Sequence, residues 1–220
     1  MEKITEIYLL GLGRNTPVFI DIAEQAGYTI LGLYHYNDEL TGEVSQGYPV
    51  LGSYHDLLSQ QSLKGKAFLL TMGNNDIRQK LAKNIRYLNG ETPAIIHPMA
   101  VVSRFAQVGC GVVVSPFSYI QAYSKIGDDT IILSHVNISH NNTVGKACFF
   151  AGSVVLGAYT QVRNQAFFGI GAKTISDKVQ YVGEQAFIGA GALVTADIPD
   201  YATVAGIPAR VIKINKPDSR

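Results

Sequence analysis

Two places in the sequence carry groups that could do chemistry. Ser139-His140-Asn141 contains an imidazole, which can take up or release a proton near neutral pH. Gly11-Leu12-Gly13 is a glycine turn after an apolar run, and such a turn at the amino end of a helix can hold a phosphate through free backbone N–H groups. The two cysteines, Cys110 and Cys148, form no Cys-x-x-Cys pair, so we expect neither a disulfide framework nor a metal site.

Composition excludes several functional classes. The 220 residues carry a formal net charge of +1 and no block of basic residues, which disfavours a protein that binds the nucleic-acid backbone. No window approaches the roughly 18 apolar residues of a membrane span, and the amino end, residues 1–6, has no apolar signal segment. We therefore expect a cytoplasmic protein.

A six-residue repeat dominates the second half. One large apolar residue recurs at every sixth position: Val102, Val108, Val114, Ile120, Ile126, Ile132, Ile138, Val144, Phe150, Leu156, Val162 and Phe168. Four positions later in each hexad the residue is almost always small. This period predicts short strands stacked as a parallel β-helix with 18 residues per coil. The alternative, a sandwich of short strands, does not hold so strict a sextet.

The repeat also predicts where the coils turn and where they are interrupted. Gly109, Gly127 and Gly145 recur at the 18-residue spacing, where a corner can need a permissive backbone. The register slips by two residues between Thr174 and Tyr181 and resumes at Val182. We expect a longer turn at that point.

The first half alternates apolar runs with amphipathic segments. This pattern predicts an α/β domain over residues 1–97 and a β-helix with a carboxyl-terminal tail over residues 98–220. Thr16 is the expected N-cap of the first helix, with Pro17 at its first position. The predicted strands are 7–10, 29–34 and 66–71, and the predicted helices are 17–26, 53–60 and 76–88. A parallel sheet of this kind binds ligands beyond the carboxyl ends of its strands.

Two such strand ends carry candidate substrate-binding residues. The first is the Gly11/Gly13 turn, in which Thr16 replaces the last glycine of a dinucleotide fingerprint. The acid expected after the second strand is absent, since Tyr34-His35-Tyr36 stands there, and this argues against NAD. The second is Met72-Gly73-Asn74, after the third strand. A tight strand-helix turn and simple helix capping remain the alternatives for these two places.

Taken together, these motifs resemble one family, the hexapeptide-repeat sugar O- and N-acetyltransferases of the bacterial sialic-acid O-acetyltransferase type. The resemblance includes enzymes that acetylate amino groups of nucleotide-linked sugars. It rests on the glycine turn at Gly11, Gly73-Asn74-Asn75-Asp76-Ile77-Arg78, Ile96-His97-Pro98, Ser139-His140-Asn141 with Val144-Gly145, and Ala205-Gly206-Ile207-Pro208-Ala209-Arg210. It implies a Rossmann-like nucleotide-sugar-binding domain, a left-handed β-helix, a homotrimer, and acetyl-CoA in the groove between neighbouring subunits.

The resemblance also implies roles for individual residues. His140 matches the proposed general base, and Asn141 would orient the acceptor or the ring. The residues implied to contact coenzyme A are Ala158, Ile170, Ala190, Arg210 and Lys213, and those implied to contact the nucleotide sugar are Gly11, Gly13, Arg14, Asn15, His35, Gly73 and Asn74. Family members commonly carry Asp or Glu where Asn141 stands, and small residues and histidine where Arg14-Asn15-Thr16 stands.

Several alternatives stay open at this point. Ala122 and Ala158, 18 residues on either side of His140, would leave room beside its ring for a thioester and an acceptor. His135, with Phe117 and Ser153 as its stacked neighbours, is the other candidate. A direct transfer is favoured because neither cysteine is evidently placed as an acyl carrier. The rival functions are a non-catalytic trimer that binds a sugar nucleotide and an enzyme that transfers a longer acyl group.

Overall fold

The computed structural model describes residues 5–215. The chain divides into two compact units, Met1–His97 and Pro98–Arg220. Residues 1–4, which contributed to the expectation that no signal segment is present, lie outside the described residues, as do residues 216–220 of the predicted tail. Within the described part of the chain, no helix is long and apolar enough to cross a membrane.

The first unit is an open α/β sheet. Its elements are β1 (Glu6–Leu10), α1 (Thr16–Gln25), β2 (Thr29–His35), β3 (Val44–Ser45), β4 (Tyr48–Ser53), α2 (Tyr54–Leu58), β5 (Phe68–Leu70), α3 (Asn75–Tyr87) and β6 (Ile95–Ile96). The strand order is β3-β4-β2-β1-β5, and all neighbours pair in parallel except β3 with β4. The predicted parallel sheet is confirmed. The short hairpin of β3 and β4, which adds an edge to the sheet, was not predicted.

The start of α1 differs from the prediction. Asn15, not Thr16, occupies the N-cap, and no side chain caps the helix there. The Thr16 side chain is buried and bonds back into the preceding glycine turn instead. Pro17 does lie in the first turn, where its missing N–H costs no hydrogen bond.

The second unit is a left-handed parallel β-helix, as the resemblance implied. Its strands are β7 (Val101–Val102), β8 (Gln107–Val108), β9 (Val113–Val114), β10 (Tyr119–Ile120), β11 (Lys125–Ile126), β12 (Ile131–Ile132), β13 (Asn137–Ile138), β14 (Thr143–Val144), β15 (Phe149–Phe150), β16 (Val155–Leu156), β17 (Gln161–Val162), β18 (Phe167–Phe168), β19 (Lys173–Thr174), β20 (Tyr181–Val182), β21 (Phe187–Ile188), β22 (Leu193–Val194), β23 (Ala202–Gly206) and β24 (Ala209–Ile214).

Three stacks of parallel strands form the walls of this helix. Ile120 pairs with Val102 below and Ile138 above, so one coil takes 18 residues as predicted. The large apolar residue of the hexad points inward and is fully buried through the middle of the helix. The small residue four positions later is buried too, so each hexad contributes two side chains to the core. The last pair, β23 and β24, is an antiparallel hairpin on one of the three walls.

The corners do not depend on the glycines that the sequence analysis chose. Gly127 and Gly145 have no left-handed backbone; instead, a Cβ atom on either would come within 2.6–2.7 Å of backbone atoms in the next coil. These glycines are therefore required for close coil packing. The left-handed position falls two residues later in the hexad and is filled mostly by other residues: Gly111, Phe117, Tyr123, Asp129, His135, Asn141, Ala147, Ser153, Tyr159, Gln165 and Gly171.

The predicted two-residue slip is confirmed. Gln161 pairs with Tyr181 and Val162 with Val182, a separation of 20 residues in place of 18. The extra residues form a turn that contains Asp177 in the left-handed region. Phe167 and Phe187, which also lie on either side of this turn, pair at the same separation of 20 residues. The last coil is shorter, because Phe187 pairs with Thr203, a separation of 16 residues.

Candidate active site

A pocket of about 400 Å³ lies beyond the carboxyl ends of β1, β2 and β5 in the first unit. Its lining combines the two predicted strand ends and adds residues that the sequence analysis did not select. The lining residues are Gly11, Leu12, Gly13, Arg14, Asn15, Thr16, His35, Tyr36, Tyr54, Thr71, Met72, Gly73 and Ile77. Six of the seven predicted substrate-binding residues therefore share one pocket. The seventh, Asn74, accepts a hydrogen bond from the Ile77 N–H at 3.0 Å and caps α3.

Two buried threonines hold the glycine turn. Thr16 Oγ1 accepts a hydrogen bond from the Gly13 N–H at 2.8 Å and donates one to the Gly11 carbonyl at 3.0 Å. Thr71 Oγ1 donates to the same carbonyl at 2.9 Å. Gly11 has a φ of 111°, and a Cβ atom there would lie 2.5 Å from Thr71 Oγ1. The Gly13 N–H is thus already bonded, and the exposed Arg14 is the cation that the turn presents at the pocket.

Replacing Thr16 by valine tests this turn. The isosteric change removes the hydroxyl that bonds the Gly13 N–H and the Gly11 carbonyl, and because Gly13 is exposed to water the loss is about 0.5–1.5 kcal/mol of unfolding free energy. We expect a lower denaturation midpoint and weaker binding of a phosphate-bearing ligand in this pocket. Urea denaturation measures the first quantity and ligand titration the second. Thr41→Val is the matched control, since Thr41 is exposed and does not line the pocket; equal effects from both variants would contradict the role of Thr16.

His35 and Tyr54 give the pocket a neutral polar lining. His35 is buried at the end of β2, packs its ring against Tyr36 at a centroid distance of 4.2 Å, and has no hydrogen-bond partner for Nδ1 among the described residues. Burial lowers the pKa of His35, against a smaller opposite effect of Glu39. Burial also raises the pKa of Tyr54 to about 12, so its hydroxyl remains a donor at neutral pH.

The lowered pKa of His35 predicts a pH-dependent stability. The unfolded imidazole titrates near its ordinary value of 6.5, and the folded one below it. The unfolded state therefore binds more protons as the pH falls through 6.5, and stability present above that pH is lost. Thermal denaturation of the full chain between pH 8 and 5 should show a steeper acidic loss for wild type than for His35→Gln. His55→Gln, at an exposed histidine, should follow wild type; parallel curves for all three would refute the assignment.

Arg78 holds the turn that follows β5, and it was not predicted to contribute to the site. It is buried in α3, where its guanidinium donates to the Met72 carbonyl at 3.0 Å and to Asn75 Oδ1 at 2.7 Å. Because Arg78 holds the turn that contains Gly73, it shapes the pocket without lining it. The only sequence signal was its place at the end of the motif Gly73-Asn74-Asn75-Asp76-Ile77-Arg78.

In the second unit, His140 lies at the exposed corner between β13 and β14. Its Nδ1 atom is 2.9 Å from Oδ1 of Asn141, which has a left-handed backbone with φ of 59°. An amide oxygen only accepts hydrogen bonds, so Nδ1 carries the proton in this contact and Nε2 is the basic nitrogen. The Asn141 amide thereby selects the tautomer that a proton-accepting Nε2 requires.

A buried polar ladder supports this corner, and the sequence analysis counted its middle member only as a small core residue. The Asn142 amide donates to the Ser139 carbonyl at 2.7 Å and accepts from the Thr160 N–H at 2.7 Å. The Asn142 N–H donates to Ser124 Oγ at 3.2 Å. Ser124, Asn142 and Thr160 are all inaccessible to solvent. Three successive coils are thus bonded together directly beneath His140.

The surroundings of His140 differ in one respect from the expected pair of alanines. The corner register does place Ala122 below and Ala158 above, since the Asn141 N–H bonds the Ala122 carbonyl and the Tyr159 N–H bonds the His140 carbonyl. The ring itself, however, contacts Tyr159 at a centroid distance of 5.2 Å and an interplanar angle of 88°. The 18-residue spacing correctly places Ala158 directly above His140. The ring contact, however, is made by the next residue in the chain, Tyr159.

His135 lies at a different corner, between β12 and β13. Its ring packs on Phe117 one coil below, with the centroids 5.0 Å apart. The two histidines therefore do not share a site on this chain's surface. Among residues 5–215, no group of His, Cys, Asp or Glu side chains is arranged to hold a metal ion.

Comparison with known proteins places the chain in a family. The family described as the PglD N-terminal domain matches residues 6–85. GDP-perosamine N-acetyltransferase of Escherichia coli O157:H7 is 30% identical over 205 residues, which cover 91% of this chain and 92% of that protein. The chain belongs to the hexapeptide-repeat sugar acetyltransferases.

Solved structures agree with this assignment. PerB from Caulobacter crescentus, in complex with CoA and GDP-perosamine, superposes with a TM-score of 0.85 at 30% identity, covering 96% of this acetyltransferase and 99% of that chain. The acetyltransferase domain of PglB from Neisseria gonorrhoeae FA1090, in complex with acetyl coenzyme A, gives a TM-score of 0.85 at 29% identity, with coverages of 96% and 100%. The predicted family, its acyl-CoA dependence and its two-part fold are thereby confirmed.

The five residues expected to contact coenzyme A lie in three separate places on the acetyltransferase. Ala158 is at the His140 corner, where its N–H donates to Ser176 Oγ at 2.9 Å. Ile170 and Ala190 occupy equivalent positions of successive coils at the corner that also contains His135. Arg210 and Lys213 are exposed on β24. A thioester oxygen that approaches the Ala158 N–H would have to compete with the Ser176 hydroxyl.

Proposed function

We propose that this chain transfers the acetyl group of acetyl-CoA to an amino group of a nucleotide-linked sugar, with His140 as the general base. The observation that carries the proposal is the 2.9 Å contact between His140 Nδ1 and Asn141 Oδ1, which leaves Nε2 as an exposed proton acceptor. Residues 1–97 would hold the nucleotide end of the sugar and residues 98–220 would carry out the transfer. The product would serve the synthesis of a bacterial glycan or surface polysaccharide.

The reaction is a direct transfer. The amino nitrogen attacks the thioester carbonyl while His140 Nε2 takes the proton that the nitrogen sheds. A C–N bond forms, the C–S bond breaks, and the imidazolium returns its proton to the departing thiolate of coenzyme A. A backbone N–H at a neighbouring turn would stabilise the oxyanion. Asn141 orients the imidazole throughout, because its oxygen holds the Nδ1 proton.

The pocket of the first unit supports an acceptor sugar that is bound through a linked nucleotide. A polar, uncharged lining from His35 and Tyr54 adjoins Arg14, whose guanidinium suits a diphosphate. The Caulobacter crescentus relative was solved with GDP-perosamine and CoA bound, so both ligand classes have a precedent on this fold. Arg14, Asn15 and Gly73 would contact the acceptor, and Arg210 and Lys213 the phosphates of coenzyme A.

We further propose that the active assembly is a homotrimer with acetyl-CoA in the groove between neighbouring subunits. The placement of Ala158 and Ile170 at different corners supports this arrangement, since two subunits could bring the two corners to one groove. Light scattering of the purified chain tests the trimer. A monomer that turns over at full rate would overturn it.

A thiol-release assay tests the reaction. It uses acetyl-CoA and a panel of GDP-, UDP- and dTDP-linked 4-amino sugars, each paired with the analogue that has a hydroxyl at the same carbon. Turnover with an amino sugar and none with its hydroxyl partner supports the proposal. Turnover with hydroxyl acceptors alone, or with longer acyl-CoA donors alone, would replace it. Binding of both ligands without any turnover would favour a sugar-nucleotide-binding scaffold.

A further inference from the structure

Tyr159 stands out among the corner residues near His140. Its side chain is 56% exposed, although its ring contacts the imidazole edge-to-face at 5.2 Å. Its backbone is left-handed, with φ of 62°, a conformation that glycine or asparagine adopts with less strain than a bulky residue. Phe117 and Tyr123 have the same backbone conformation at equivalent positions, so the ring contact with His140 is what distinguishes Tyr159.

The His140 corner lacks a charged group at position 141, and the ring of Tyr159 can compensate for this in part. Asn141 fixes the tautomer of His140 but carries no charge that could stabilise an imidazolium. A cation within about 6 Å of an aromatic centroid is attracted by the negative face of the ring. The two rings are perpendicular, at 88°, and a perpendicular pair allows the edge of an imidazolium to meet that face.

We propose that Tyr159 is a positioning residue: its ring fixes the plane of the His140 imidazole and stabilises the imidazolium that forms when Nε2 takes the acceptor's proton. This inference rests on His140 being the base. It explains how the site works with an amide at position 141, because the aromatic face supplies part of the stabilisation that a carboxylate would give.

Other titratable groups do not offer this stabilisation. Besides Tyr159 on the coil above, those on the adjoining strands and corners, within the described residues, are two phenols and one amine on the coil below: Tyr119, Tyr123 and Lys125. Lys125 is a cation and would disfavour an imidazolium. The carboxylate of Asp177 belongs to the corner one coil above that of Tyr159. Tyr159 is the group in ring contact with His140.

The test replaces the ring without disturbing the corner. Tyr159→Asn suits a left-handed backbone, Tyr159→Leu keeps an apolar side chain, and Tyr159→Phe keeps the aromatic face. Tyr123→Asn is the matched control, because Tyr123 is 60% exposed at the same hexad position two coils lower and stacks on Phe105. Two readouts are taken: the pH profile of kcat, and the NMR titration of the His140 ring in the full-length protein.

Removing the ring should make the imidazolium less stable. For Tyr159→Asn and Tyr159→Leu, we expect the acidic limb of the kcat profile and the NMR midpoint of His140 to move down by about half a pH unit. We also expect kcat to fall several-fold while both KM values stay within about twofold. Tyr159→Phe should restore the wild-type midpoint, and Tyr123→Asn should match wild type.

The outcomes separate this inference from the proposed function. An unchanged NMR midpoint in Tyr159→Asn and Tyr159→Leu overturns the role of the ring, even if His140 is the base. A midpoint that shifts equally in Tyr159→Phe assigns the effect to the hydroxyl and also overturns it. Full turnover by His140→Ala would instead refute the base, and the NMR titration would still decide whether Tyr159 stabilises the imidazolium.

Discussion

His140→Ala should lower kcat by about a hundredfold or more, with both KM values changed by less than about threefold. A positioned general base contributes roughly 10²–10⁴-fold to such a transfer, and alanine removes the proton acceptor while leaving the binding surfaces in place. His140 is exposed and outside the core, so the variant should fold. Steady-state thiol release with saturating acetyl-CoA and the amino sugar identified in the panel measures the loss.

His135→Ala is the matched control for this prediction. It removes a second histidine from the same coil of the β-helix, at a corner where the ring packs on Phe117. We expect its kcat to equal that of wild type within about twofold. A large loss in His135→Ala together with near-normal turnover in His140→Ala would reverse the assignment of the base. Equal turnover by all three proteins would show that no histidine of this coil takes the proton.

The strength of the sequence prediction lay in periodicity. One residue of every hexad must point inward, so large apolar residues recur at a fixed spacing in the sequence. Val114, Ile120 and Ile132, which belong to this series, have no solvent exposure in the structure. Because equivalent residues of successive coils pair with each other, the spacing in the sequence equals the spacing between paired strands. The separation of 18 residues and its increase to 20 were therefore both predicted. Fold and period are linked here because each coil contacts mainly its two neighbours.

The corners show what periodicity could not supply. A left-handed backbone is forced by the tight turn, and residues as different as Phe117, Asn141 and Ala147 adopt it. The residue type therefore carries little information about where the left-handed backbone falls. The recurring glycines, such as Gly127, are instead required because neighbouring coils pack closely against them. The short hairpin of β3 and β4 in the first unit was missed for a similar reason, since Val44–Ser45 is too short to show an alternating pattern.

The sequence predicted most of the residues of the candidate site but few of the contacts between them. Gly11, Arg14, His35 and Gly73 share one pocket because parallel strands end at one edge of the sheet, a consequence of topology that the sequence reveals. The bonds of Thr16 and the packing of Tyr159 on His140 depend on side-chain rotamers, which no spacing rule specifies.

Asn142→Ala should lower both stability and kcat, which separates Asn142 from an ordinary core residue. Alanine leaves the buried Thr160 N–H without the acceptor that the amide oxygen supplied at 2.7 Å. The Ser139 carbonyl loses the amide donor at 2.7 Å but keeps its hydrogen bond from Ser124 Oγ, also at 2.7 Å. An unsatisfied buried group costs about 1–3 kcal/mol, so we expect the unfolding free energy to fall by about 2 kcal/mol. Since Ser139 precedes His140 directly, the corner also loses one of its two side-chain bonds, and kcat should fall by about tenfold. Denaturant titration and the thiol-release assay give the two quantities.

Val154→Ala is the control that isolates the polar contribution. Val154 fills an equivalent small inward position of the β-helix and is fully buried, so its truncation leaves a cavity but no unpaired polar group. We expect a loss of about 2 kcal/mol and an unchanged kcat. If the polar ladder holds the base in place, only Asn142→Ala should combine destabilisation with slower turnover. A kcat that is unaffected in Asn142→Ala would mean that the His140 corner is held by the coil backbone alone, since Asn141 and Tyr159 bond to the neighbouring coils through their own N–H groups.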